Sequence, residues 1–417
     1  MNDKNYSILG RPYPRVKLHP ASIKHLSKGH PWITEDSFTK DFPADRVFLI
    51  GTEGKDEKEF AVLLNDPSHK NIKARAWSLV PPFIEGIKNF PYDLYQRLEL
   101  AFKVRRNLNI HEERENYYLV FGESDRIPGL MIQKLGHHLL IQEYAGFWKK
   151  LEGPLLEKLG VLMKEYFPGE RILAFIENRN DVKQNTIRRV SIPGIKNDIT
   201  TPLHFVLKEF GINYQLHFDQ NYDHGLYTDM AAIRKRLDKY ISGKVLNLFS
   251  YTGAFSLYSL SKGAEHVTSV DLSSKYLEWL KSNLDLNPQL DQSKHRSLCM
   301  SVSASLQQLK AQKDFFDLII CDPPTASSDG KKTCHILNSY TELIPAMASI
   351  LSADGSMVVF QNSHHTSKKK FEERITALAK ESKLKVVESL KMGEDARTAP
   401  QFPEGNYLNG LVLKRAK

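Results

Sequence analysis

The 417-residue chain is 41% hydrophobic and sets 58 Lys and Arg against 49 Asp and Glu, for a formal net charge of +9. That size predicts two or three domains with well-formed cores, and the excess of cations favours a polyanionic partner. No apolar run is long enough to span a membrane and residues 1–10 lack the apolar core of a signal peptide, so a cytoplasmic protein with no membrane partner is expected. Cys299, Cys321 and Cys334 show neither paired metal spacing nor the density of a disulfide framework, so reduced thiols and no metal are expected.

Along the chain, residues 15–77 read as a small β-rich domain, with strand signals at 46–50, 60–64 and 72–79 separated by Gly/Asp/Asn turns. Pro81-Pro82 and Pro91 punctuate a linker, and residues 93–108 follow as a helix with Leu94, Leu98, Ala101 and Phe102 along one side. A middle α+β unit comes next, with strand, helix and strand signals at 139–142, 151–166 and 172–177. Glu123 and Asp125, in the turn at 122–129, read as turn-building residues rather than chemistry. Residues 211–219 predict a strand, 223–229 a turn, and 230–241 a helix. The expected divisions are 1–85, 90–200 and 205–417.

In the last division an apolar strand at 245–249 breaks at a small-residue loop ending in Gly253 and gives way to a helix through Leu257 and Leu260. A second strand, 266–270, ends in Asp271 and precedes a helix with Tyr276, Leu277, Leu280 and Leu284 at helical spacing. This is half of a doubly wound α/β sheet, whose ligands sit beyond the carboxyl ends of its strands, with an acid in the place of Asp271 accepting from ribose hydroxyls. The loop Phe249-Ser250-Tyr251-Thr252-Gly253 has one glycine where a diphosphate cradle needs three, which disfavours NAD and favours S-adenosylmethionine. An α/β domain with an incidental strand-end acid is the competing reading. The buried strand signal at 316–321 then delivers Asp322-Pro323-Pro324 to the same edge, and a further strand at 356–360 runs into Gln361-Asn362-Ser363.

These motifs carry a family resemblance. Lys17-Leu18, Gly29-His30-Pro31-Trp32-Ile33 and Asn65-Asp66-Pro67-Ser68 leading to Arg75 resemble the N-terminal PUA domain of bacterial 23S rRNA methyltransferases. The resemblance implies an RNA-binding PUA-like domain, a middle α+β domain and a C-terminal class I, Rossmann-like methyltransferase sheet. It implies S-adenosylmethionine as cofactor and 23S rRNA or a large-subunit precursor as partner, with a homodimer left open. Arg15, Lys17, Lys24, Lys28 and His30 would form the RNA face; Trp32 beside them reads as core. Phe249, Ser250, Tyr251, Gly253, Asp271, Leu272, Ser303 and Asp322 would line the cofactor, together with Gly225, Tyr227 and Asp229 from the turn before the helix at 230. Asp229 can serve as a helix N-cap at the same time.

Asp322, Pro323, Pro324 and Asn362 would hold the target base. Family members that methylate cytosine C5 carry a cysteine where this chain has Asn362, because C5 is not nucleophilic until a thiolate adds to C6. Leu246 to Gly253, Tyr276 to Trp279, Asp322 to Thr325 and Asn362-Ser363 resemble the guanine-N7 half of the bifunctional 23S rRNA enzyme. Residues 402–408 resemble the C-terminal hairpin of the cytosine-C5 group. Ser303 stands where the family has an acid near the adenine, and Ala326 where an aromatic often follows, so Tyr340 or Phe360 is the expected base-stacking ring. Guanine N7 is the favoured target and cytosine C5 the alternative. A non-catalytic RNA-binding or assembly factor on the same fold is the reading from a different class.

Overall fold

Strand formation follows the apolar runs read above, and the chain gathers them into two compact units, Met1–Pro202 with Arg397–Gly405 and Leu203–Ala396 with Asn406–Lys417. The computed structural model describes residues 13–180, 186–196, 203–219, 224–324, 326–328, 333–363 and 366–416.

The first unit opens with β1 (Arg15–Lys17), α1 (Pro20–Ser27) and β2 (Trp32–Thr34), then β3 (Phe48–Glu53), β4 (Lys58–Asn65) and β5 (Ile72–Ser78). They form one sheet in the order β1-β3-β4-β5-β2, antiparallel except for β1 beside β3. After α2 (Phe83–Lys88) comes α3 (Phe90–Asn107), in which Pro91 is no linker residue: it occupies the first turn, where its missing N–H has no helical partner to lose. A second sheet, in the order β10-β9-β8-β7-β6, holds β6 (Asn116–Phe121), β7 (Leu130–Leu135), β8 (His138–Glu143), β9 (Leu173–Asn178) and β10 (Ile187–Val190), with α4 (Trp148–Tyr166) between β8 and β9. One continuous core joins Phe48, Val62 and Trp77 of the first sheet to Phe90, Leu94 and Phe102 of α3 and to Leu119, Ile132 and Leu155 beyond.

The second unit starts with the hairpin β11 (His204–Glu209) and β12 (Ile212–His217). The helix expected at 230–241 is broken into a 3-10 turn Thr228–Met230, α5 (Ala231–Arg236) and a second 3-10 turn Asp238–Tyr240. Then come β13 (Lys244–Leu248), α6 (Ala254–Ser261), β14 (His266–Asp271), α7 (Ser274–Asp285), β15 (His295–Cys299), α8 (Val302–Ala311) and β16 (Phe316–Cys321). The small hairpin β17 (Ala326–Ser328) and β18 (Thr333–His335), α9 (Ile336–Ala348), β19 (Leu351–Asn362), α10 (Lys368–Glu381), β20 (Leu384–Leu390) and β21 (Leu408–Arg415) complete the chain. Seven strands form the sheet β15-β14-β13-β16-β19-β21-β20, parallel from β15 to β19, with β21 reversed against both neighbours. Side chains of α8, α9 and α10 share a buried core with the central strands, among them Leu306, Ile344 and Ile375 with Ile319, Met357 and Leu413. Among the described residues no helix is long and apolar enough to cross a membrane.

Candidate active site

Strands β14, β13, β16 and β19 are adjacent and parallel, so Asp271, the loop after Leu248, Asp322 and Asn362 emerge along one carboxyl edge of the sheet. The loop from β13 to α6 puts three residues in the left-handed region, Phe249 at φ 58°, Tyr251 at 50° and Gly253 at 86°. Each non-glycine residue there costs on the order of 1–3 kcal/mol, a strain that clusters at functional loops. In return, the Ser250 N–H donates to the Val270 carbonyl at 2.9 Å and the Tyr251 N–H to Asp271 Oδ2 at 2.9 Å. The Ser273 N–H takes Asp271 Oδ1 at 2.9 Å, so the carboxylate is oriented by two backbone donors while each oxygen keeps a second lone pair for a ligand.

A second loop is stitched to the first. Thr252 Oγ1 donates to the Gly225 carbonyl at 2.5 Å, and the Gly225 N–H donates to the Tyr251 hydroxyl oxygen at 2.8 Å. Gly225 has a φ of 100°, and a Cβ there would lie 2.4 Å from the Trp279 ring and 2.8 Å from the Gln215 carbonyl oxygen, so only glycine fits. Trp279 in turn donates Nε1 to that same Gln215 oxygen at 3.1 Å. Trp279, Gln215 and Thr252 thus hold the site although sequence reading did not select them. The Ser250 hydroxyl is buried without a hydrogen-bond partner among the described residues, a polar atom left for a ligand to satisfy.

Around Asp322 the chemistry is that of crowded acids. Asp229 lies within the 3-10 turn rather than at a helix cap, and its Oδ2 accepts the Tyr407 hydroxyl at 2.7 Å. Arg234 on α5 donates Nε and Nη2 to Glu209 at 2.6 and 2.7 Å, and Nη2 also to the Tyr227 carbonyl at 3.0 Å. Burial, reinforced by the charge of Asp229 and opposed by Arg234, pushes the Asp322 carboxyl up to about 7. Burial likewise raises Asp229, against the Tyr407 hydrogen bond and the Arg234 charge. Pro323 is buried, Pro324 exposed and Asn362 half-buried. Cys321 is fully buried at the end of β16, and burial pushes its thiol up, away from a reactive thiolate.

The expected stacking rings are corrected by burial. Tyr340 and Phe360 are both 0% exposed, and the Tyr340 hydroxyl is consumed by the Phe360 carbonyl at 2.5 Å, so neither ring offers a face to a base. The exposed large side chains beside the site are Tyr227 and Leu272, at 48% and 65%. Ser303 sits exposed in the first turn of α8, which Ser301 caps by accepting from the Ala304 N–H at 3.3 Å.

On the first unit, Lys17, Lys24 and Lys28 are exposed, but Arg15 is paired with Glu59 at 2.5 Å and His30 Nε2 lies 3.1 Å from Glu404 Oε2. Trp32 is half-buried, with its ring against Phe402 and its Nε1 donating to Glu123 at 2.7 Å. Glu123 and Asp125 are structural, as expected: Asp125 accepts from Arg105 at 2.6 Å and from the Phe121 N–H at 2.6 Å.

Residues 231–386 match the family model described as "Conserved hypothetical protein 95". The chain is 29% identical over 411 residues to ribosomal RNA large subunit methyltransferase I of Pseudoalteromonas translucida, covering 96% of this chain and 98% of that one. It is 28% identical over 414 residues to the protein of the same name from Vibrio cholerae, covering 96% and 99%. Among solved structures, SMU.776, described as a methyltransferase complexed with SAH, superposes with a TM-score of 0.83 at 19% identity, over 96% of this chain and all of that one. A protein from Streptococcus mutans, described as SAM-dependent, superposes with a TM-score of 0.80 at 20% identity and the same coverage. With its seven-stranded sheet and reversed β21, the chain has the fold of the class I methyltransferases.

Proposed function

We propose that this protein transfers the methyl group of S-adenosylmethionine to a base of large-subunit rRNA, and that the atom methylated is N7 of a guanine. The named relatives are rRNA large-subunit methyltransferases aligned over 96% of the chain, which supports the substrate class. The observation that carries the choice of atom is the residue closing β19. Asn362 stands beside the strand of Asp322, where a cytosine-C5 enzyme needs a thiolate. Cys321 is buried within its strand, and Cys299 ends β15, three strands from β16 in the sheet.

Asp271 would accept the ribose hydroxyls, and Ser250, Tyr251 and Gly253 would bring backbone and the open Ser250 hydroxyl to the methionine end, with Gly225, Tyr227 and Asp229 across from them. The bound cofactor supplies an electrophilic methyl group on sulfur. The guanine N7 lone pair forms the new N–C bond as the S–C bond breaks with its electron pair left on sulfur, and no proton leaves the ring. Such a transfer needs positioning rather than an enzyme nucleophile, and Asp322, Pro323 and Asn362 supply it. The sheet β1 to β5 would serve as a PUA-like RNA-binding module, with Lys17, Lys24 and Lys28 contacting phosphates; none of them pairs with an acid among the described residues.

The test is nucleoside mass spectrometry of 23S rRNA from a strain lacking the protein, before and after incubation with protein and S-adenosylmethionine. One new 7-methylguanosine is expected. A new 5-methylcytosine in its place overturns the choice of atom, and no new methylated base overturns the activity.

A further inference from the structure

Among the described residues the charged groups acting on Asp322 are the carboxylate of Asp229 and the guanidinium of Arg234, which is itself paired with Glu209. Arg234 is committed to Glu209 through two hydrogen bonds and to the Tyr227 carbonyl through a third. Asp229 holds the Tyr407 hydroxyl at 2.7 Å. Asp322 receives no hydrogen-bond donor among the described residues. The other titratable groups acting with it are Cys321 on its own strand and Tyr340 on α9; the Tyr340 hydroxyl is taken by the backbone of Phe360. Asp229 and Asp322, both half-buried beside one already neutralised cation, cannot both stay ionised cheaply, and the proton goes to the one without a donor.

Resting on the guanine-N7 reading, we propose that Asp322 works as a neutral carboxylic acid that donates its hydrogen to O6 of the target guanine and so selects guanine over other bases. On the edge that carries N7, guanine presents two acceptors, N7 and O6, whereas adenine presents N7 and an amino donor. A donor at Asp322 completes a hydrogen bond with guanine O6 that an ionised carboxylate cannot make, whereas adenine's or cytosine's amino group needs only an acceptor, which the carboxylate supplies best. An ionised Asp322 reverses that preference. Its carboxyl, raised by burial to about 7, is in the right range for the neutral form to be populated at neutral pH. Asp322 is thus a specificity-determining contact, and base choice is coupled to its protonation.

The experiment measures single-turnover methylation of rRNA at saturating cofactor from pH 6 to 9, for the wild type and for Asp322→Asn, with the methylated base identified in every digest. The wild-type rate is expected to fall by about tenfold per pH unit above roughly pH 7. Asp322→Asn keeps an N–H donor at all pH values, so its rate stays level and overtakes the wild type at pH 9. A wild-type rate that rises through pH 7, or one profile shared by both proteins, overturns the donor role; methylated guanine in those same digests leaves the guanine reading standing. Methylated cytosine or adenine as the product overturns the guanine reading itself. A second measurement needs no variant: rRNA carrying adenine at the mapped position should gain on guanine by at least about tenfold between pH 6 and 9. An adenine-to-guanine ratio that does not move with pH also overturns the donor role.

Discussion

Acids in the two units of this protein live under opposite terms. In the first unit Asp66 pairs with Arg75 and Asp125 with Arg105, each guanidinium almost fully buried, and backbone amides of Gly146 and Phe121 take the remaining carboxylate oxygens. In the second unit Asp271 is held by backbone amides alone and Asp322 by no donor among the described residues. The first arrangement leaves little for a ligand to bind and much for the fold to lose. The second leaves hydrogen-bonding capacity unspent at one edge of a sheet, which is what a binding site requires. Substitutions should therefore separate the acids into those that hold the fold and those that serve the site.

The largest effect belongs to the first unit. Asp125→Ala takes a carboxylate from the buried Arg105 and the acceptor from the Phe121 N–H, and should cost about 3–5 kcal/mol of stability in chemical denaturation. A loss below about 1 kcal/mol would make the pair no more than a surface-type bridge. Next comes Asp271→Ala, which on the proposed ribose role removes two charge-assisted hydrogen bonds and should weaken S-adenosylmethionine binding by roughly 2–4 kcal/mol in calorimetry. Unchanged affinity would take Asp271 out of the ribose role.

Asp322 should behave oppositely to Asp125 in stability while mattering more in turnover. Asp322→Ala is expected to lose about a hundredfold or more in single-turnover rate. The stability sign follows from a folded-state pKa near 7 against an ordinary value near 4. A carboxyl raised on folding contributes stability that is present below its unfolded pKa and lost as pH rises through its folded one. Wild type should therefore lose ground to Asp322→Asn between about pH 4 and 7, by on the order of 2–4 kcal/mol at pH 8. Denaturation curves whose difference does not change with pH would show that Asp322 stays ionised in the folded protein.

How much of this was legible beforehand depends on the range of the contacts involved. Strand ends and their acids were readable because apolar runs and the residues closing them are local, and Asp271 and Asp322 stand where such runs end. Tyr340 and Phe360 misled because an aromatic residue near a motif looks alike whether its face is open or packed. Both are packed inside, where the Tyr340 hydroxyl bonds the backbone of β16 and β19, a contact that no local pattern encodes. Glu209 carried no signal at all, since the Arg234 that pairs with it lies 25 positions further along the chain. Residues 397–405 were equally opaque. They interrupt the second unit in sequence yet belong to the first, where the Ala399 N–H reaches Ser124 and Phe402 meets Trp32.

The same contrast between committed and open charge extends to cations. Arg15 and His30 are engaged by Glu59 and Glu404, so Lys17, Lys24 and Lys28 should carry the phosphate contacts of the first unit. Changing these three lysines to Ala should lower the slope of log affinity against log salt for rRNA by about two to three and leave cofactor binding intact. An unchanged slope would move the RNA face elsewhere. Arg15→Ala alone should change the slope by less than about one, because its charge is already answered.

The smallest expected effect is the one that best divides nitrogen from carbon chemistry. A cytosine-C5 enzyme passes through a covalent adduct between its thiolate and C6 of the base, so losing that cysteine abolishes turnover, whereas transfer to guanine N7 needs no enzyme nucleophile. With Asn362 closing β19 and Cys321 buried in its strand, the variant with Cys299, Cys321 and Cys334 all changed to Ser or Ala should keep its rate within about threefold, provided it is folded by circular dichroism. Replacing Cys321 does open a small volume in the core and should cost about 1 kcal/mol of stability, which the fold can absorb without moving Asp322. The variant-independent form of the test incubates wild-type protein and S-adenosylmethionine with 5-fluorocytosine-substituted rRNA. A C5 enzyme becomes trapped on such RNA, because the fluorine cannot leave as a proton does. No denaturant-stable protein–RNA band is expected here; its appearance, together with a dead cysteine-free variant, would transfer the site from guanine N7 to cytosine C5.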